Sequence, residues 1–83
     1  MNQVKNVSKD KDGHSCPIPL ELAKRIIETT TNEGDLVIDP FAGSGTFCLA
    51  AKLLKRNYIG IELSEKYCKI AEERIRKTTE PLF

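Results

Sequence analysis

Leu36-Val37-Ile38-Asp39-Pro40-Phe41-Ala42-Gly43-Ser44-Gly45-Thr46 decides the fold of this chain. Its first three residues are apolar and two are β-branched, the composition of a strand buried on both faces of a parallel sheet. Pro40 and the two glycines rule out continued strand and impose a tight turn. Beyond the turn, Phe47, Ala50, Ala51 and Leu54 fall at i, i+3, i+4 and i+7, one face of a helix. Lys55, Arg56 and Asn57 make its C-terminal turn, where cations favour the helix dipole. Tyr58-Ile59-Gly60-Ile61 then reads as a second strand that ends at Glu62. Strand, turn, helix and strand form a βαβ unit, whose strands run parallel.

Working outward, Pro17-Ile18-Pro19 introduces an earlier helix, with Pro19 suited to the first helical position, where its missing N–H costs nothing. Leu20, Ala23 and Ile27, with Leu22 and Ile26 beside them, give that helix an apolar face; residues 29–33 and Gly34 end it. After Glu62, Ser64 is a good N-cap and Glu65 an acid in the first turn. The third helix is expected to bury Tyr67, Ile70, Ala71 and Ile75 and to expose Lys66, Lys69, Glu72, Glu73 and Arg76, with Pro81 as its far limit. Residues 1–13 are polar and without apolar period, and are expected to form a mobile tail. The folded unit is expected over 14–78, with a second short tail over 79–83. The order is α-β-α-β-α around two parallel strands, without internal repeats.

The chain has 83 residues, 40% of them hydrophobic, and a net charge of +1. This is one small globular domain that buries only about 60–65% of its unfolded surface. Balanced charge excludes a strong phosphate-binding footprint of its own, so most of any grip on a nucleic acid must come from elsewhere. Cys16, Cys48 and Cys68 are odd in number and widely spaced, and the lone His14 stands near only one of them. That argues against a zinc site and for reduced thiols in a cytoplasmic protein. No apolar run approaches the roughly 18 residues that span a membrane.

The chemistry sits in the middle. Gly43 and Gly45 remove side chains where a ligand must approach the backbone, and the turn opens onto a helix N-terminus with outward N–H groups. Glu62 ends the next strand nineteen residues beyond Gly43. In nucleoside-binding βαβ units an acid about 20 residues past the glycines takes the ribose hydroxyls, at the sheet edge where open α/β sheets bind ligands. A nicotinamide or flavin GxGxxG would need glycine where Cys48 stands, and no Gly-Lys-Ser/Thr of a phosphate loop follows. Asp39, just before the glycines, would repel a pyrophosphate. An acidic, glycine-lined strand end suits a cationic nucleoside better.

Asp39-Pro40-Phe41-Ala42-Gly43-Ser44-Gly45-Thr46 resembles the S-adenosylmethionine-binding motif of N6-adenine and N4-cytosine DNA methyltransferases. Ile59-Gly60-Ile61-Glu62-Leu63 resembles that family's ribose-binding strand. His14-Ser15-Cys16-Pro17-Ile18-Pro19-Leu20 resembles the motif that packs over the methionine end of the cofactor, with Ser15 where the family usually has proline. The order of motifs resembles the permuted subgroups that place the glycine loop near the C-terminus. The resemblance implies a partial Rossmann-like methyltransferase fold whose cofactor residues are Cys16, Pro17, Asp39, Pro40, Phe41, Ala42, Gly43, Ser44, Gly45, Thr46, Glu62 and Leu63.

The family's catalytic motif, Asp/Asn/Ser-Pro-Pro-aromatic, holds the flipped base, and no Pro-Pro dipeptide occurs in this sequence. The resemblance therefore assigns no catalytic residue here and implies a cofactor-binding fragment, inactive alone. Two strands with bare edges make a poor sheet, so a complementary methyltransferase half or a second copy is expected to complete it. The rival reading is a self-associating α/β module without catalysis.

Overall fold

The computed structural model describes residues 2–10, 18–40 and 42–78, the side chains of residues 7–10 excepted. The elements are β1 (Gln3–Asp10), α1 (Leu20–Thr30), β2 (Leu36–Asp39), α2 (Thr46–Leu53), β3 (Asn57–Ser64) and α3 (Glu65–Lys77). The three strands form one parallel sheet in the order β1-β3-β2. The order of the helices and the central βαβ unit follows the sequence reading, but the sheet has three strands rather than two. Pro19 is the N-cap of α1 rather than its first residue. α2 closes at Leu53, because Lys55 turns left-handed at φ +64° and Asn57 already opens β3. Residues 3–10, expected as a mobile tail, form its first edge strand.

The reason β1 escapes the pattern is chemical. Val4 is buried, while Gln3 and Lys5 are exposed. The strand is held instead by its backbone ladder to β3, where Gln3 pairs with Ile59 and Asn6 with Glu62. Two polar bonds support it: Asn6 Nδ2 donates to the Glu62 carbonyl at 3.1 Å, and Asn2 Oδ1 accepts the Tyr58 N–H at 2.9 Å. Polar, lysine-bearing edges are how sheets discourage further pairing, at the cost of a readable apolar alternation.

Alternation along β3 defines two faces. Tyr58, Gly60, Glu62 and Ser64 are buried, whereas Leu63 is 53% exposed. α2 and α3 cover the buried face, and α1 packs along α2. There Ala23, Ile27, Cys48, Leu49, Ala71 and Ile75 close the core with Val4 and Tyr58. Gly60 permits this packing: a β-carbon on it would stand 2.8 Å from Cys48 Sγ and 3.0 Å from Ala42 Cβ.

The other sheet face is not covered by any element among the described residues. Ile38 is consequently 60% exposed, and Leu36 is exposed too, which corrects the expectation that this strand is buried on both faces. On α3, Ala71 and Ile75 are buried as expected, but Cys68 joins them while Tyr67 is half-buried and Ile70 is exposed. On α1, Leu22 and Ile26 are exposed while Ala23 and Ile27 carry the contact.

Helix ends are tied down by side chains. Ser64 caps α3 as expected, its Oγ accepting the Tyr67 N–H at 3.3 Å. Lys52 Nζ donates to the Ile75 and Thr78 carbonyls at the other end, both at 2.7 Å. Arg56 binds the Thr31 carbonyl and hydroxyl and the Leu54 carbonyl, joining the ends of α1 and α2. Unpaired helix carbonyls are thereby satisfied.

Candidate functional site

β2 ends at Asp39, in register with Gly60, while β3 runs on through Glu62 to Ser64, past the end at Glu62 expected from the sequence because its pairing with β1 continues there. Period-two geometry puts Asp39, Gly60 and Glu62 on the helix-covered face. The chain then turns sharply. The Ala42 N–H donates to the Ile61 carbonyl at 3.0 Å, and the Gly45 N–H to the Ala42 carbonyl at 2.8 Å. Gly43 and Gly45 adopt φ of +57° and +84°, the left-handed region that glycine enters without penalty. Gly45 has a second reason to lack a side chain: a β-carbon would lie 2.7 Å from Ala71 Cβ on α3. The turn and α3 are packed backbone against methyl.

Glu62 is 8% exposed, and its carboxylate points into the turn. One oxygen accepts the Gly43 N–H at 2.7 Å, and the other accepts the Ser64 N–H at 2.6 Å. One acid thus joins the glycine turn to the start of α3. A carboxylate offers about four acceptor sites, so two N–H donors do not exhaust it. On the opposite flank, Arg74 Nη1 donates to the Ser44 carbonyl at 3.0 Å, to Ser44 Oγ at 3.1 Å and to Thr46 Oγ1 at 3.3 Å.

Asp39 borders a cavity of about 260 Å³ with Ile26, Ile27, Thr31, Val37 and Phe47. Nearby, burial pushes the Cys48 thiol up to about 12, with the Asp39 charge adding to it. The Cys68 thiol rises to about 11, first through burial and then through the Glu72 carboxylate. Both are free thiols held neutral, filling space rather than offering a nucleophile. No group of three or more His, Cys, Asp or Glu able to hold a metal occurs among the described residues.

Of the residues proposed from sequence, Asp39, Pro40, Ala42, Gly43, Ser44, Gly45, Thr46 and Glu62 meet at this one sheet edge. Thr46 and Ala42 are buried, and Pro40 is exposed. Leu63 turns its exposed side chain to the opposite face of β3 from Glu62. His14, Cys16, Pro17, Phe41 and Pro81 lie outside the described residues. The sequence reading missed Arg74, having assigned the cations of α3 to a solvated face. Its position between Ala71 and Ile75, at the flank of the buried stripe, was the available signal.

A parallel strand, a glycine turn with two left-handed residues, a helix, and a second strand carrying near its end an acid folded onto the turn define a ligand-binding βαβ unit of the nucleoside type. A family model described as DNA methylase, for the N6/N4 class, matches residues 1–73, and the chain belongs to that family. It is 44% identical to the orphan methyltransferase M.BamHII of Bacillus amyloliquefaciens over 75 residues, 90% of this chain and 28% of that protein. The crystal structure of an M1.HpyAVI–SAM complex superposes with a TM-score of 0.70 at 47% identity, covering 71% of this chain and 29% of that one. A putative DNA modification methylase from Thermus thermophilus, complexed with S-adenosyl-L-methionine, superposes with a TM-score of 0.71 at 44% identity, covering 74% and 26%. The chain therefore spans between a quarter and a third of the length of these relatives. Its fold is that part of a methyltransferase α/β domain.

Proposed function

We propose that these 83 residues hold S-adenosylmethionine for a DNA methyltransferase that modifies an exocyclic amino group, adenine N6 or cytosine N4. The observation that carries this reading is the Glu62 carboxylate, buried and hydrogen-bonded to the Gly43 N–H at 2.7 Å. The residues fit such a cofactor. Glu62 retains acceptor capacity for a ribose diol, Gly43 and Gly45 let a nucleoside reach the backbone, and Asp39 offers charge to a cationic methionine end. Cys16, Pro17, Phe41 and Leu63 are assigned to the same site on the resemblance of their motifs. When bound, the cofactor supplies a sulfonium methyl group; this chain's part is to orient it.

Acceptor chemistry lies elsewhere in this reading. The Pro-Pro-aromatic motif is not among these 83 residues, so alone they hold a donor without positioning a base. DNA contact would come chiefly from residues outside this sequence, as the net charge of +1 implies. The exposed Leu36, Ile38 and Leu63 favour a further element of the proposal, that a complementary methyltransferase half or a second copy covers this side of the sheet.

Calorimetric titration with S-adenosylmethionine tests the core of the proposal. The chain is expected to bind saturably, and Glu62→Ala to weaken binding by at least about tenfold, the loss of a charge-assisted hydrogen bond. Absence of binding by the unaltered chain overturns the reading.

A further inference from the structure

We propose that Arg74 is a positioning residue for the glycine turn, holding Ser44 and Thr46 in the conformation that takes the cofactor. This inference rests on the cofactor reading above. Arg76 and Lys77, its neighbours on α3, pair with Glu73 near the surface. Arg74 instead lies half-buried with one guanidinium nitrogen shared among the Ser44 carbonyl, Ser44 Oγ and Thr46 Oγ1, at 3.0, 3.1 and 3.3 Å. Hydrogen bonds from a charged donor are stronger than neutral ones.

The placement of these acceptors gives the grip its meaning. Glu62 holds the peptide plane before Gly43 by accepting its N–H, and Arg74 holds the plane after Ser44 by donating to its carbonyl, the same plane whose Gly45 N–H donates to the Ala42 carbonyl at 2.8 Å. Between the two fixed planes lies the single Gly43–Ser44 peptide. Glycine at 43, at φ +57°, imposes little restraint of its own. Two charged side chains of opposite sign, one from near the end of β3 and one from the last turns of α3, therefore add to the restraint of the turn's own backbone bond. Anchoring of this kind lowers the ordering cost that a ligand would otherwise meet.

The test uses the full chain with Arg74→Ala, Arg74→Lys and, as a control, Arg76→Ala. Three quantities are measured: affinity for S-adenosylmethionine by calorimetry, ligand-free melting, and amide hydrogen exchange at Gly43 and Gly45 by NMR. Arg74→Ala is expected to weaken affinity about tenfold and to speed Gly43 exchange by a similar factor. Arg74→Lys recovers part of both, because an ammonium can still reach an acceptor, and Arg76→Ala matches the unaltered chain. Lys52→Ala, which uncaps α3 away from the turn, controls for lost stability. If it lowers melting as much as Arg74→Ala and weakens affinity equally, a positioning role is overturned. Unchanged affinity and exchange in Arg74→Ala also overturn it. Should the unaltered chain fail to bind the cofactor, the underlying reading falls. Gly43 exchange then decides whether Arg74 holds the turn: faster exchange upholds the clamp, and unchanged exchange removes it.

Discussion

Two glycines with nearly the same backbone angle do different work. Gly34 and Gly45 have φ of +88° and +84°, but a β-carbon on Gly34 meets nothing within 4 Å, while one on Gly45 strikes Ala71 Cβ at 2.7 Å. Gly34→Ala therefore carries only the left-handed penalty, about 1–2 kcal/mol. Gly45→Ala adds overpacking of about 1–3 kcal/mol and displaces the turn. Urea midpoints of the two variants, compared with the unaltered chain, are expected to rank Gly45→Ala as the more damaging; equal losses would contradict the packing described here. Both glycines were visible in the sequence, and so was the acid at 62. The contact with Ala71 was not, because it joins residues twenty-six positions apart through a packing distance that no local pattern encodes.

At the scale of elements, α2 and α3 present their thiols inward, and this has a pH signature. Cys48 and Cys68 ionise near 12 and 11 when folded, against an ordinary value of 9.0. A raised folded value means the folded state binds the proton more tightly than the unfolded chain. The associated stability is fully present below about pH 9 and is lost as pH rises toward the folded values. Urea midpoints are expected to hold between about pH 7 and 8.5 and to fall steadily above it. Iodoacetamide at about pH 8 should label both thiols only as fast as the helices open, a rate that denaturant raises sharply. Rapid labelling of Cys48 or Cys68 in the folded chain, read by peptide mapping that sets Cys16 apart, would show that thiol to be open. α2 and α3 were legible because apolar residues at helical spacing and a Ser64 cap agreed, whereas the cations read as the end of α2 lie beyond it. β1 was not legible, since a polar edge strand held by backbone bonds leaves almost no apolar trace.

For the molecule as a whole, the unequal faces of the sheet matter most. One face carries α2 and α3, and the other leaves Ile38 60% and Leu63 53% exposed beside an edge of β2 that no strand among the described residues pairs. Exposed apolar strands next to an unpaired edge are templates for association. Sedimentation at micromolar concentration is expected to give a dimer or larger species, and Ile38→Lys to shift it toward monomer while changing stability by less than about 1 kcal/mol. A clean monomer for the unaltered chain would remove the self-association arm of the proposal. The sequence led to a bare edge, and β2 retains one among the described residues; it also led to burial of β2 on both sides, because a run of Leu-Val-Ile reads the same whether or not a second layer is present.

Ala71 carries no polar atom and lies nine residues beyond the acid at 62, yet its methyl group stands where any atom added at Gly45 would have to go. The width of one small side chain on a neighbouring helix thus limits how closely the bend can settle. Bulk alone at position 71 would unseat the bend, leaving every hydrogen-bonding group chemically intact but out of reach of its partner.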